Sequence, residues 1–441
     1  MKKLLLYALS VVFFACNDDD EGNIVLPTTA DFTVRIENVN QPKSFFASGS
    51  VPGVLMPGES QEFTFEAGPV TLPGATTKLS LITMFVQSND LFFGPEETGI
   101  VLYENGSRVT GDVTDQIEFW DAGTEVNEEP GTGPNQAPRQ AGPNTGTDEN
   151  GNVILVSQNG DGFVYPAVAE VIQVILEELP GSDTGFKVIV TNVSGTASLP
   201  TPLAGLTWVI HTEDAPIFTS GMPDPGLGLE DIAEDGDPTN LTTSLGDDTG
   251  LITPLSPGVW AVHENGVNPL FNSGSADLGE GLEAIAEDGE PGALAAVLSG
   301  KSGVSSSDLF NTPVGAAAPG PAVPGGAYEF SFSAEEGDYL SFATMFVQSN
   351  DLFYTFSENG IALFSGSNPV SGDVTVQVLL YDAGTEVNEF PGAGLNQVIR
   401  QSGPDTGLEE NGVVTDVNNT GDGFSYPAVA DIIRVSITPM Q

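Results

Sequence analysis

The chain has 441 residues and is strongly acidic, with 61 Asp and Glu against 11 Lys and Arg and a formal net charge of −50 at pH 7. Such a surface repels phosphate backbones and anionic lipid head groups, which excludes nucleic acid as an expected partner. The 39% hydrophobic content and the 25 Phe argue against disorder and predict packed cores.

A signal peptide is the first predicted element, at residues 1–15, where two lysines precede an apolar stretch too short to span a bilayer. Cys16, the only cysteine, follows directly, and we expect it to carry a lipid that anchors the chain to a membrane through a tether at 16–30. An ordinary signal peptide with a chance cysteine is the alternative. The acidic residues 17–21 resemble the export segment of Bacteroidetes-type surface lipoproteins, although a solvated tether also explains them. The expected location is the outer membrane or cell surface of a Gram-negative bacterium.

Short apolar or alternating runs, separated by Gly, Pro, Asn and Asp, predict antiparallel strands. In the first half they lie at 32–36, 62–65, 79–86, 99–103 and 116–120. Residues 168–176 fit either a closing strand or a helix. We therefore expect an all-β fold of two tandem antiparallel β-sandwich domains, at 31–179 and 186–441, joined by a linker at 180–185.

The segment 84–169 recurs without insertion or deletion at 345–430, so that Met84 reappears 261 positions later as Met345. The most similar parts read MFVQSNDLF, DAGTEVNE and YPAVA. Surface loops usually drift in length between related segments. Preserved loop lengths therefore indicate two copies of one functional site rather than of a scaffold alone.

The second domain restarts at 186–193, which parallels 32–39, and then contains far more chain than the first. The additional chain, about 204–298, is itself duplicated. In each copy a predicted strand that contains Trp and His comes first; GLEDIAEDG follows it at 228–236 in the first copy, and GLEAIAEDG follows it at 281–289 in the second. Leu and Ile three residues apart and a final Gly predict a two-turn helix in each segment. We expect the second domain to carry this duplicated strand-plus-short-helix insertion and the first domain to lack it.

Carboxylates follow two predicted strands in each copy of the repeat. Asp90 lies at a turn after one strand, Asp121 follows the strand that ends at Trp120, and Glu125 lies four residues later in a Gly-containing loop. Where a sheet brings such groups together, a hard dication with about six to eight oxygen ligands relieves their repulsion. Because the motif has no Cys or His for zinc, calcium is the expected ion, one per domain. The candidate ligands are Asp90, Asp121, Glu125, Asp351, Asp382 and Glu386.

Three neighbouring side chains, Asn89, Asn127 and Glu128, are further candidate ligands. The alternative interpretation of the whole set is that these acids cap turns on a solvated rim.

MFVQSND, followed by a strand pair and then WDAGTE or YDAGTE, resembles the spondin-type domain of F-spondin, mindin and many bacterial secreted proteins. The segments WVIH…GLEDIAEDG and WAVH…GLEAIAEDG resemble the upstream segment of the same family, in which an aromatic strand with His leads into a short acidic helix. The resemblance covers nearly all of 31–441. It implies C2-like antiparallel β-sandwiches with a divalent-metal site, usually calcium, and a role in extracellular adhesion. The family's metal-binding acids fall on the six candidate ligands. Animal members usually have Asp where this chain has Glu125 and Glu386.

These features predict a surface-anchored, calcium-binding adhesion or ligand-binding lipoprotein that is not an enzyme, with an extracellular protein or glycan as its partner. The alternatives are a carbohydrate-binding accessory protein and a structural spacer on the cell surface. The only histidines, His211 and His263, occupy equivalent places in the duplicated segment, which favours buried imidazoles over catalytic bases. Asp161 and Asp422, in GDGF segments, are expected in tight turns rather than at a second cation site.

Overall fold

The computed structural model describes residues 27–71 and 74–440. The expected signal peptide, Cys16 and most of the expected tether lie outside these residues. Within them the fold is all-β, as predicted, with antiparallel sheets and a few short helices. No helix in the described ranges combines the length and the apolar character needed to cross a bilayer.

Among the described residues, those up to 247 contain fifteen strands and three α-helices. The strands are β1 (Thr29–Asn38), β2 (Phe45–Ser50), β3 (Val54–Leu55), β4 (Ser60–Glu66), β5 (Lys78–Phe85), β6 (Leu91–Pro95), β7 (Ile100–Val101), β8 (Tyr103–Glu104), β9 (Ser107–Arg108), β10 (Gly111–Asp112), β11 (Ile117–Asp121), β12 (Ile154–Leu155), β13 (Ile172–Glu178), β14 (Gly185–Asn192) and β15 (Leu203–His211). The helices are α1 (Val168–Val171), α2 (Leu229–Asp235) and α3 (Thr239–Asp247). The ambiguous stretch 168–176 therefore contains both a helical turn and a strand.

The described residues after 247 contain twelve strands and three α-helices. The strands are β16 (Leu255–Glu264), β17 (Val304–Phe310), β18 (Ala327–Glu335), β19 (Asp338–Phe346), β20 (Leu352–Thr355), β21 (Ile361–Ala362), β22 (Phe364–Ser365), β23 (Asn368–Pro369), β24 (Gly372–Asp373), β25 (Leu379–Asp382), β26 (Thr415–Asp416) and β27 (Ile433–Pro439). The helices are α4 (Leu282–Asp288), α5 (Gly292–Leu298) and α6 (Val429–Ile432). Single 3₁₀ turns lie at Thr114–Gln116, Val156–Gln158, Ser194–Thr196, Thr375–Gln377 and Val417–Asn419.

One sandwich, here called the first sandwich, is built from two sheets with strand orders β12-β11-β6-β5-β15-β2 and β10-β13-β14-β4. Alternate side chains of both sheets meet in one core, where Phe63 of β4 stacks on Trp208 of β15 with ring centroids 5.0 Å apart. Every residue of β15 is buried, because its second face is covered by α2 and α3. This double coverage explains why the strand reads as a continuous apolar run.

The second sandwich has the same plan, with strand orders β17-β16-β19-β20-β25-β26 and β18-β1-β27-β24. Trp260 of β16 stacks on Phe330 and Phe332 of β18 in its core, at 5.3 Å in both cases. Helices α4 and α5 cover the other face of the larger sheet. The predicted two-turn helices are confirmed: α2 and α4 end at Gly236 and Gly289, each with φ 68°.

The pairing of the strands differs from the predicted division at 31–179, 180–185 and 186–441. β1 pairs with β18 and β27 of the second sandwich, whereas β14 pairs with β4 and β13 of the first. Residues 180–185 form the turn of the β13–β14 hairpin, in which Leu179 N–H donates to Gly185 O at 3.0 Å, so they do not link two domains.

The expectation that the first sandwich lacks the strand-plus-helix segment is also corrected. β15 pairs with β2 and β5, and α2 packs on β5, so the first copy of the duplicated segment completes the first sandwich. The second copy, with β16 and α4, completes the second sandwich. The duplication is therefore one segment for each sandwich rather than an insertion into one domain.

Two equivalent asparagines mark the exchanged strands. Asn38, at the end of β1, donates from Nδ2 to the carbonyl oxygens of Thr253 and Ala322 in the second sandwich, at 2.8 and 2.9 Å. Asn192, at the end of β14, donates to Leu55 and Thr201 in the first, at 2.8 Å in both cases. Because both amides are buried, each satisfies backbone carbonyls that water does not reach.

Candidate metal centre

The sheet brings two distant aspartates together in each sandwich. In the first sandwich, Asp121 at the end of β11 pairs with Leu91 at the start of β6, which places it beside Asp90. The backbone fixes this contact, since Ala122 N–H donates to Asp90 O at 3.1 Å. In the second sandwich, Asp382 pairs with Leu352 in the same way, beside Asp351. The predicted meeting of these strand ends is confirmed.

Asp90 and Asp351 each use one carboxylate oxygen and leave the other without a partner. Oδ2 of Asp90 accepts from the N–H groups of Thr124 and Glu125, both at 3.1 Å, and Oδ2 of Asp351 accepts from the two equivalent groups at the same distances. Oδ1 of each is buried and has no hydrogen-bond partner among the described residues. Burial, followed by the charge of the neighbouring aspartate, raises the pKa of both carboxyls well above the usual range.

Asp121 and Asp382 are held by short local hydrogen bonds. In the second sandwich, Asp382 Oδ1 accepts from Gly384 N–H at 2.5 Å and Oδ2 from Asn388 Nδ2 at 2.6 Å. The first sandwich repeats this pattern with Gly123 at 2.8 Å and Asn127 at 2.5 Å. Burial is the main cause of a raised pKa at Asp382. These contacts orient the carboxylate towards its aspartate neighbour.

The third acid of the second sandwich is Glu410. Residues 408–412 run antiparallel to 384–387, with Glu410 N–H donating to Thr385 O at 2.8 Å. This ribbon brings a carboxylate oxygen of Glu410 within 4.8 Å of the ligand atoms of Asp351 and Asp382. Two oxygens bound to one calcium at ~2.4 Å are at most ~4.8 Å apart, so the spacing fits one ion.

The first sandwich has the same ribbon, in which Glu149 N–H donates to Thr124 O at 2.8 Å. After burial, the charge of Asp121 raises the pKa of Glu149, just as that of Asp382 raises the pKa of Glu410. Glu149 therefore corresponds to Glu410 in the repeat. We call the two sets, Asp90–Asp121–Glu149 and Asp351–Asp382–Glu410, the aspartate-pair sites. Among the described residues, only the second set has one ligand atom from each acid within 4.8 Å of the others.

Glu125 and Glu386, expected as the third ligands, lie elsewhere. Glu386 Oε1 accepts from Gly407 N–H at 2.7 Å, and Glu125 Oε1 from Gly146 N–H at 2.6 Å. A Cβ added to Gly407 would be 2.0 Å from Glu386 Oε2, so only glycine allows the loop to approach this carboxylate. The structure thus groups Glu410 rather than Glu386 with the aspartate pair.

Among the further candidate ligands, Asn127 alone keeps a free oxygen. Its Oδ1 is buried without a partner, whereas Asn89 Oδ1 accepts from Glu128 N–H at 3.0 Å. Both carboxylate oxygens of Glu128 accept hydrogen bonds from Asn135, at 2.9 and 2.6 Å.

The GDGF segments form turns, as predicted. Gly160 and Gly162 have φ of 70° and 83°, and Asp161 accepts from Phe163 N–H at 2.8 Å and from the Tyr165 hydroxyl at 2.5 Å. In the second sandwich, Asp422 repeats these bonds and also accepts from Asn388 Nδ2 at 3.3 Å, which joins it to the surroundings of Asp382.

Both histidines are buried, as expected. His263 donates from Nδ1 to Glu264 O at 3.1 Å, since a carbonyl oxygen only accepts, and Nε2 of the neutral ring then accepts from the Ser341 hydroxyl at 2.9 Å. His211 repeats this arrangement with Glu213 O and Ser80. Burial lowers the pKa of both imidazoles.

The aspartate-pair sites suit a hard dication. Their donors are carboxylate oxygens, and none of the ion pairs formed among the described residues involves them. Converging carboxylates with orphaned buried oxygens are costly unless a cation or a bound proton neutralises them. No family model matches the chain, and no curated protein is significantly similar to it.

Proposed function

We propose that this protein is a non-enzymatic, calcium-binding adhesion or ligand-binding lipoprotein of the cell surface, with spondin-like sandwiches whose calcium-stiffened loops contact an extracellular protein or glycan. The observation that carries the proposal is the convergence of Asp351, Asp382 and Glu410 within 4.8 Å, with Asp351 Oδ1 buried and unpartnered. The oxygen-only donor set favours calcium over zinc or copper.

Calcium binding would act on the loops rather than on the cores. The two arms of each ribbon are joined by backbone hydrogen bonds, whereas Asp382 ends strand β25 of the sheet and Glu410 lies in a long loop without regular structure. An ion shared by both holds the loop on the sheet edge. A stiffened loop loses less conformational entropy when it binds a partner, which favours recognition.

The three tryptophans argue against the carbohydrate-binding alternative. Trp120, Trp208 and Trp260 are all buried in or beside the cores, so they offer no flat exposed platform for sugar rings. The other alternative is a passive spacer. A spacer needs no bound ion, so calcium binding separates it from the proposed function.

Calorimetric titration of the full chain with calcium chloride tests the proposal. We expect the wild type to bind calcium at the aspartate-pair sites, and the double variant Asp121→Asn, Asp382→Asn to bind fewer ions with correspondingly less heat. The matched control is Asp115→Asn with Asp431→Asn, which removes the same charge from exposed positions in a 3₁₀ turn and in α6 and should bind like the wild type. Equal binding by the double variant and the control would contradict the proposal.

A further inference from the structure

A second group of acids lies beside the aspartate-pair site of the second sandwich. Glu283 and Glu287 are four residues apart on one face of α4, and Asp405 reaches them from the long loop after β25. One carboxylate oxygen from each of the three lies within 4.8 Å of the others. We call this group the helix site.

Glu287 is the feature that makes the helix site more than an acidic patch. Its side chain is 2% exposed, and neither of its carboxylate oxygens has a hydrogen-bond partner among the described residues. An ionised carboxylate with two orphaned oxygens in the interior costs several kcal/mol unless it is neutralised, on the order of the penalty for other buried charges.

The groups around Glu287 increase this penalty. Burial is the largest cause that raises its pKa to about 8; the nearby Thr385 hydroxyl lowers it, and the charges of Glu386, Glu283 and Asp405 raise it further. Glu386 therefore belongs to these surroundings. A hard dication is the species that satisfies several converging carboxylates at once.

The first sandwich provides an internal comparison. Glu230 and Glu234 occupy the positions of Glu283 and Glu287 on α2, but Asn144 stands where the repeat places Asp405. Asn144 Nδ2 donates to Glu230 Oε1 at 2.9 Å, so an amide takes the place of the third carboxylate there, while Glu234 is as buried as Glu287 and also has no hydrogen-bond partner among the described residues. Both loop residues have positive φ, 47° and 54°, which confirms that they occupy equivalent turns. The two sandwiches thus differ by one ligand.

We propose that Glu283, Glu287 and Asp405 form a second divalent-cation site, distinct from the aspartate-pair site, that takes a hard ion of the calcium class and is complete only in the second sandwich. It ties α4 to the loop that also carries Glu410. The inference uses a separate set of residues and does not rest on the proposed function.

Calcium titration of the full chain by calorimetry tests the helix site through a reciprocal exchange. Asp405→Asn copies the first sandwich and should lose one bound ion relative to the wild type, because an amide replaces a carboxylate without a change of shape. Asn144→Asp should gain one ion. The double variant Asp121→Asn, Asp382→Asn should keep the ion of the helix site.

The outcomes separate this site from the aspartate-pair sites. An Asp405→Asn variant with unchanged stoichiometry, or loss of all binding in the double variant, would overturn the helix site and leave the proposed function in place. If Asp405→Asn alone removed all binding, the helix site would stand and the proposed function would fall. A wild type without calcium uptake would contradict both.

Discussion

Asp90 and Asp351 each hold one carboxylate oxygen in the protein interior without a partner. Their other oxygens accept two backbone N–H groups each, so the side chains are already oriented before any ion binds. Leaving a buried polar group unsatisfied costs about 1–3 kcal/mol, and more for a charged one. The metal-free protein carries this cost, and a bound dication would remove it.

Replacing Asp351 with Asn should therefore stabilise the metal-free protein while it abolishes calcium binding at that site. The Asn oxygen can still accept from Thr385 and Glu386, and its amide can donate towards Asp382. We expect a gain of about 1 kcal/mol in the free energy of unfolding, measured by urea denaturation in chelator. The exposed substitution Asp115→Asn should leave stability unchanged. A variant less stable than the wild type in chelator would contradict this account of the site.

The buried histidines destabilise the folded protein as the pH falls, whereas the buried carboxylates, whose pKa values are raised, destabilise it as the pH rises. Burial lowers the pKa of His211 and His263, so below the usual value of ~6.5 the unfolded chain binds protons that the folded protein does not. Stability is therefore present at neutral pH and is lost as the pH falls through ~6.5, by at most about 1.4 kcal/mol per pH unit for each histidine.

Substituting His263 with Gln should reduce the stability lost between about pH 7.5 and pH 5.5, compared with the wild type. The contribution of the carboxylates is common to both proteins and cancels in the comparison. Denaturation curves at the two pH values measure this difference, and an identical loss in both proteins would show that the imidazole titrates normally in the folded state.

The repeat in the sequence points to Glu410 as a candidate ligand, although the strand pattern does not. Glu149 and Glu410 lie at the offset of 261 in the repeat, each followed by Asn-Gly. Both lie in long segments without regular structure, where periodicity predicts no position. The ribbon hydrogen bonds with Thr124 and Thr385 bring them to the site, and these depend on the folded loops. The aspartates were predictable because they lie at strand ends.

At the scale of elements, the exchange of β1 and β14 sets the architecture. Both strands carry the same alternation, FTVRIENV and FKVIVTNV, so either would bury an equivalent set of side chains in either sandwich. Hydrophobic pattern therefore predicts the strands and their faces but not their sheets. Sequence order therefore gives the wrong sheets for β1 and β14, whereas α2, α4 and the strands predicted at 32–36, 62–65, 79–86 and 116–120 are confirmed; α3, α5 and α6 were not predicted.

A matched pair of core substitutions tests the exchange. Phe32 of β1 packs in the second sandwich and Phe186 of β14 in the first, and both are fully buried. Each Phe→Ala change should cost about 3–5 kcal/mol. We expect Phe32→Ala to increase amide exchange in β18 and β27, and Phe186→Ala to increase it in β4 and β13.

If β1 instead paired with the strands nearest to it in the sequence, Phe32→Ala would increase amide exchange in the first sandwich. Increased exchange in β4 and β13 of the Phe32→Ala variant would contradict the observed pairing.

At the scale of the whole molecule, the sandwiches contact each other through a half-buried arginine. Arg400, from the long loop of the second sandwich, donates from Nε to Pro69 O of the segment between β4 and β5 at 3.0 Å. Burial lowers its pKa to about 10. Phe46 of the first sandwich approaches Phe390 of the second, with ring centroids 6.5 Å apart. The crossing strand and this contact connect the two sandwiches.

The net charge of −50 makes self-repulsion a property of the entire surface. Sodium chloride should raise the melting temperature by screening, but calcium chloride at equal ionic strength should raise it further because it also binds. At ten times the dissociation constant, each site adds about 1.4 kcal/mol. Thermal melts in chelator, sodium chloride and calcium chloride measure the two effects. Identical curves in both salts would leave screening as the only effect.

The central claim is that each sheet edge binds a dication between carboxylates from separate loops. The most direct measurement is anomalous scattering from crystals of the protein grown in calcium and soaked in a lanthanide. We predict a peak between Asp351, Asp382 and Glu410, with oxygen ligands at ~2.3–2.6 Å, and an equivalent peak at Asp90, Asp121 and Glu149. Saturated crystals without density at either aspartate pair would contradict the claim.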